Sequence, residues 1–306
     1  MSAIVLALLP VVAILVLGQA LVRTRLFGPE TWGPIERIVY FVLFPCLIVR
    51  AIATAEFEGA PVGQMAATLV AAQVLLAAAA YLSRLSQTVD SPAFASIFQS
   101  NVRWNTYVAL AVAAGLYGPD GLALTAIAAG ALIPVANILA VWGFVTYGRR
   151  REDGKRPPIL KSLATNPLLM ACVVGLAIRE SGWKLPELLS DTLQIMGGGT
   201  LALGLLAAGA GLDLKRLATA GGTVLTWSLV RVLGMPLIVW ALGPLFGVEG
   251  LALSVAIIAT STPTAVNGYI LAKQLGGDAQ LSASLIAAQT VIALATMPVM
   301  LALLLP

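Results

Sequence analysis

The sequence predicts an all-α polytopic membrane protein, and three observations predict it. Of 306 residues, 59% are apolar and 10% charged, against roughly 25% charged in a soluble domain; so few charges cannot cover a water-facing surface. The apolar residues fall into ten runs, each about the ~20 residues that a helix needs to cross a ~30 Å hydrocarbon core. Lys and Arg gather in every second connection between runs, as the positive-inside rule requires of a multi-pass chain. Such high hydrophobicity also excludes disorder.

The runs are 3–22, 34–55, 62–82, 93–116, 121–147, 159–179, 187–212, 218–246, 249–275 and 279–305. The first lacks a basic leading region and an Ala-x-Ala exit into a polar chain, so it reads as a span and not as a cleaved signal. Arg23 and Arg25 close it. Arg84 follows the third run, and Arg149, Arg150, Arg151, Lys155 and Arg156 follow the fifth. Lys215 and Arg216 follow the seventh, and Lys273 closes the ninth. The opposite side holds little beyond Arg179 and Lys184. The odd connections are therefore expected to be cytoplasmic, with both termini on the outer side of the membrane. The basic stretch Gly148–Pro158 could attract anionic lipid, but orientation alone accounts for it.

Absent residues narrow the chemistry. There is no His, which removes His proton relays and His-ligated metal. Cys46 and Cys172 stand alone in apolar runs and read as packing, since a zinc cluster needs more ligands. No Asp or Glu lies clearly mid-span, and no Gly-x-Ser-x-Gly element occurs, so an intramembrane enzyme fits badly. Gly197-Gly198-Gly199 lacks the Lys-Ser/Thr of a phosphate loop and reads as a close-packing site. The net charge of +4 sits mostly in one connection and gives no reason to expect a nucleic-acid partner.

The fifth connection divides the chain into five runs and five runs. An odd number per half sets the halves in opposite orientations, which is the arithmetic of an inverted repeat. Segment 112–127 resembles segment 270–285 at an offset of 158, which carries Asp120 onto Asp278 and Asn105 onto Pro263. The expected division is a first five-helix repeat at 1–147, a cytoplasmic linker at 148–158 and a second repeat at 159–306.

Two runs carry polarity at mid-span. The fourth holds Gln99, Ser100, Asn101, Arg103, Trp104, Asn105 and Thr106; the ninth holds Thr260, Ser261, Thr262, Pro263, Thr264 and Asn267. Polar groups at bilayer depth cost several kcal/mol, so an intramembrane cluster marks a candidate site. A lone Pro is often only a kink, and Ser or Thr often bonds back to its own helix. Two clusters at equivalent positions of two repeats are what a midplane site made from broken helices predicts. Asn101 and Asn105, four apart, share a face only if the helix is continuous; Arg103 would then point away. Arg103 without a mid-span carboxylate suggests an anionic ligand. Arg50 and Arg231 are expected to snorkel or to pair structurally, and Gln73 and Gln289 to make interhelical hydrogen bonds. The substrate-binding candidates are Asn101, Arg103, Asn105, Ser261, Pro263, Thr264 and Asn267.

Asn105-Thr106-x-Val108 with Leu116-Tyr117-Gly118 resembles the fourth helix of the auxin efflux carrier family. Thr262-Pro263-Thr264-Ala265-Val266 with Ala272-Lys273 is similar to its ninth. Asn166-Pro167-Leu168, Gly175-Leu176, Leu185-Pro186 and Leu206–Leu212 are similar to its sixth and seventh. The likeness runs in order through nearly the whole chain. It implies ten helices in two inverted repeats, with helices four and nine broken and crossed at the substrate site. Helices 1, 2, 6 and 7 would form a scaffold, usually in a homodimer, and helices 3–5 and 8–10 a moving transport domain working by an elevator, alternating-access mechanism. The resemblance implies a short bacterial member in the inner (plasma) membrane, exporting a small organic anion such as a carboxylate or auxin-like acid, with lipid and a second copy as its other partners. The crossover Asn and Pro map to Asn105 and Pro263. Plant members carry Pro before that Asn, where this chain has Trp104, which predicts a milder break. No cofactor is required; Na+ or H+ coupling stays open, and a sodium-coupled symporter of the bile-acid type is the alternative. The scarcity of mid-span acids favours transport driven by the anion gradient and membrane potential.

Overall fold

The computed structural model describes residues 2–55, 61–85, 89–149, 166–217 and 221–305, all of them helix, turn or irregular chain without a strand. Most of the basic stretch 148–158, from 150 onward, lies outside the described residues. Helix α1 spans Ser2–Arg23. Helices α2 (Pro29–Ile38) and α3 (Phe44–Ala53) run on through a π turn at Val39–Leu43. Helix α4 is Val62–Leu82, α5 is Ser91–Val102 and α6 is Thr106–Tyr147. In the second half, α7 is Pro167–Glu180 and α8 is Glu187–Ala210. Helices α9 (Gly222–Leu229) and α10 (Met235–Leu242) join through a π turn at Val230–Gly234. Then come α11 (Gly250–Thr260), α12 (Gly268–Leu275) and α13 (Ala279–Leu304). Most apolar runs coincide with one helix or a pair joined end to end; the fourth and ninth are each interrupted, at 103–105 and 261–267, and the sixth is described only from 166 onward.

Six helical stretches among the described residues are long and apolar enough to cross a membrane. Large apolar side chains such as Leu6, Val16, Leu188, Ile195, Trp240 and Leu303 face outward, an apolar exterior that suits lipid and not water. The chain is a multi-pass helical membrane protein.

Local chemistry explains where the helices change course. Pro45 and Pro236 each follow a π turn by two residues. A proline lacks its N–H and crowds the carbonyl four residues back, and the wider π turn relieves that conflict without ending the helix. Helix α6 is two helices, 106–117 and 119–147. Gly118 takes φ 59°, ψ −141° between them, a conformation that costs glycine alone no steric penalty. A Cβ added at Gly121 would strike the carbonyl of Ala113, so the chain has doubled back there. The 158-residue offset carries Gly118 onto Gly276, which also has positive φ (78°). It carries Asp120 onto Asp278, whose carboxylate caps α13 by accepting from the Leu281 N–H at 2.9 Å.

The main core joins Leu69, Ala72 and Leu76 of α4, Val108, Val112, Leu124 and Ala128 of α6, Val255–Ala259 of α11 and Met297 of α13. Its many alanines let helices approach closely, which is how packing gains energy where lipid offers no hydrophobic contrast. The same device joins α1 to α8: a Cβ on Gly18 would strike the Leu206 carbonyl, and one on Gly209 the Leu15 carbonyl. Gly197 of the triple glycine lies against the backbone of Leu47, the close packing expected of it. Cys46 and Cys172 are free thiols.

Candidate functional site

Both polar clusters sit at helix breaks. Helix α5 ends at Val102, Arg103 is extended (φ −92°, ψ 162°) and Asn105 (φ −94°, ψ 96°) starts α6. The break forms with no Pro or Gly in reach, so Trp104 in place of Pro does not keep the helix whole. Asn101 and Asn105 therefore do not share a continuous face. In the second half α11 ends at Thr260 and α12 starts at Gly268, leaving 261–267 irregular around Pro263. The breaks touch: the Asn105 N–H donates to the Pro263 carbonyl at 2.8 Å.

A break leaves backbone groups without helical partners, and buried side chains supply most of them. Gln73 of α4 donates to the carbonyl of Val102 (2.7 Å) and, more weakly, to that of Leu132 (3.4 Å). Gln289 of α13 accepts from the Thr264 N–H (2.9 Å). Arg231, in the second π turn, donates from Nε to the Arg103 carbonyl (3.1 Å) and from Nη1 to the Thr260 carbonyl (2.8 Å). It is 2% exposed, so it does not snorkel. Arg50 by contrast reaches Gln194 near a helix end (2.9 Å).

Beside the breaks lies a cavity of about 900 Å³. One side is α2, its π turn and α3, with Glu36, Tyr40, Phe41 and Phe44. The other is the two breaks, with Asn137 of α6 and Ile270 of α12; Leu168 of α7 and Gly204 and Ala208 of α8 complete the wall. Of the sequence candidates, Arg103, Asn105 and Asn267 line it. Asn101, Ser261, Pro263 and Thr264 are buried behind it. The Asn101 amide and the Ser261 hydroxyl donate back to their own helices, at Ile97 (2.9 Å) and Ile257 (2.8 Å).

The cavity's polar end has one sense. Arg103 donates to Asn137 Oδ1 (3.2 Å) and Asn267 Oδ1 (2.9 Å). A guanidinium can only donate, so both amides must turn their oxygens to it. The Asn105 oxygen is likewise taken by the Val108 N–H (3.2 Å), which it caps. With each amide oxygen engaged by a donor, the three NH2 groups are free to donate. Arg103 Nε and Trp104 Nε1 are further buried donors without a protein partner. Thr106 and Tyr107, the first residues of α6, carry N–H groups that no helical carbonyl can reach, and both line the cavity. No carboxylate among the described residues forms an ion pair with Arg103.

Sequence reasoning missed Asn137, Tyr40, Tyr107 and Glu36. Asn137 is a single amide in a long apolar run and carries no local signal. Glu36 stands two residues into the second run, where it reads as a polar flank; the structure sets its helix against the cavity.

Residues 156–301 match the family model described as "Membrane transport protein". An uncharacterized transporter of Methanothermobacter thermautotrophicus is 24% identical over 296 residues, 95% of either chain. Both likenesses support the resemblance to the auxin efflux carrier family. A second such relative, an uncharacterized transporter of Methanocaldococcus jannaschii, is 26% identical over 177 residues, 56% of either chain. The family model and these relatives support a membrane transporter.

Proposed function

We propose that the chain is a secondary carrier of small organic anions, binding a carboxylate at the crossing of its two broken helices. One observation carries this reading: donors without a protein partner gather around Arg103 at the crossing. Arg103, the NH2 groups of Asn105, Asn137 and Asn267, the Trp104 indole and the α6 N-terminus ask for a ligand that only accepts. A deprotonated acid accepts at both oxygens. An alcohol, amide or protonated acid brings a hydrogen that would meet another donor. The positive end of the α6 dipole favours the same charge. The aromatic and aliphatic remainder of the wall suits the ligand's carbon body.

The transport cycle follows from the architecture we infer. Ten helices form two inverted five-helix repeats, 1–147 and 159–306, joined by a cytoplasmic linker at 148–158. The paired glycines 118 and 276, the paired aspartates 120 and 278 and the Asn105–Pro263 contact support that reading. Helices α2, α3, α7 and α8 give the cavity one wall and the crossing gives it the other, so sliding the crossing past them would expose the site alternately, as in an elevator. Export is the favoured direction in an inner membrane with both termini outside: an anion leaving a negative-inside cell gains ~2.3 kcal/mol per charge per 100 mV. The carrier works as a homodimer.

Thermal shift of the purified protein tests the ligand class, because a compound bound only by the native state raises its stability. Carboxylates are expected to raise the melting temperature and their amides to leave it unchanged. An equal response to acid and amide overturns the reading. Unchanged anion flux in proteoliposomes after both Asn105→Ala and Pro263→Ala would remove the site from the crossing.

A further inference from the structure

The offset that relates the two halves also carries Gln73 onto Arg231 and Val102 onto Thr260. Gln73 donates to the Val102 carbonyl at 2.7 Å; Arg231 donates to the Thr260 carbonyl at 2.8 Å. The two halves thus use the same post for the same task, holding the last carbonyl of the helix before the break. They differ in charge. The first half uses a neutral amide and the second a guanidinium. Arg231 also crosses to the other break and donates to the Arg103 carbonyl at 3.1 Å.

Both carbonyls stand at the negative ends of helix dipoles, with no further turn to use them. A guanidinium removed from water is tolerated only where such groups compensate it, and no carboxylate among the described residues pairs with Arg231. Carbonyls freed at midplane breaks are the groups with which carriers of broken-helix design coordinate a coupling cation. Here a side chain already occupies them, projected by the π turn at Val230–Gly234.

We propose that Arg231 is the resident cation of the crossing: its guanidinium fills the carbonyl site that a mobile alkali cation would otherwise take, and the transport cycle needs no sodium. Arg231 is a positioning residue. It touches no substrate, but it ties the backbone ahead of Asn105 to the backbone ahead of Pro263, so both halves of the site move as one. The flux part of the test rests on the carrier reading above; the salt part does not.

The decisive experiment compares sodium chloride with N-methylglucamine chloride at equal ionic strength. The wild-type melting temperature and anion flux are expected to be the same in both. A melting temperature or flux raised by sodium overturns the proposal and favours a sodium-coupled symporter. In Arg231→Gln, flux is expected to fall about tenfold, the weight of one charged hydrogen bond. Millimolar guanidinium chloride should then raise the melting temperature of the variant but not of the wild type, and restore part of the flux. Unchanged flux, or a loss that guanidinium does not relieve, overturns it. If Arg231→Gln does not fold, the wild-type salt comparison still decides, and Arg231→Lys, which keeps the charge, should remain sodium-independent. Failure of every carboxylate to bind, with the salt comparison as expected, counts against the substrate reading alone.

Discussion

The two breaks solve one problem by different means. The first spans 103–105 and contains no helix breaker; the second spans 261–267 around Pro263. In the second, Pro263 removes a helix donor, and the Ser261 and Thr262 hydroxyls turn back to the carbonyls of Ile257 and Ala259. In the first, tertiary contacts hold the chain open: Gln73 and Arg231 take the carbonyls of Val102 and Arg103, the Pro263 carbonyl takes the Asn105 N–H, and the Asn105 side chain caps α6. The proline-free break presents most of the cavity's donors. Position 103 and its counterpart 261 make the point: an arginine facing the cavity and a serine facing its own helix.

That contrast is open to measurement, with the largest effect expected at this pair. Arg103→Gln should lower anion flux about tenfold or more, since a hydrogen bond to a charged group contributes about 1.5–3 kcal/mol, whereas Ser261→Ala should leave flux within about twofold because its hydroxyl serves only a local bond. Equal losses would erase the division of labour. Next comes Gln73→Leu, which strands the buried Val102 carbonyl at about 1–3 kcal/mol and should lower the melting temperature clearly. Asn105→Ala removes a helix cap worth about 1 kcal/mol together with a proposed ligand, so it should lower both stability and flux. Pro263→Ala keeps the carbonyl that accepts from Asn105 and should affect flux less. The smallest effect on flux belongs to the paired glycines, which lie away from the cavity. Gly118→Ala meets no neighbour and should cost about 1–3 kcal/mol for its backbone conformation alone. Gly276→Ala also drives a Cβ into the Arg149 carbonyl and should cost more. A reversed order would mean that the first hairpin is tighter than its backbone suggests.

The sequence made the helices legible because a membrane span is written in one variable, a long apolar run. The run 62–82 coincides with α4 residue for residue. The second break was legible in Pro263. The first was not, since nothing local at 102–105 distinguishes a broken helix from a polar one; the partners that open it lie at Gln73, Arg231 and Pro263. The same reason hid Asn137, which becomes a site residue only because α6 folds back at Gly118 and the Arg103 side chain reaches it. Arg231, read as a snorkelling or paired cation, proved to be the link between the breaks, a role that depends on two carbonyls and on no neighbour in sequence. Glu36 became visible as a cavity residue only once α2 was set against the crossing.

The proposed elevator cycle needs a part that stays still. The contact of α1 with α8 at Gly18 and Gly209 supplies one. Backbone meets backbone there, with no side chain to bend and no lipid between, so the two helices can neither roll nor slip without separating. Movement is thereby left to the face where the cavity lies. A methyl group at either glycine would act as a wedge in the frame, loosening the fixed part while leaving every residue of the proposed anion site in place.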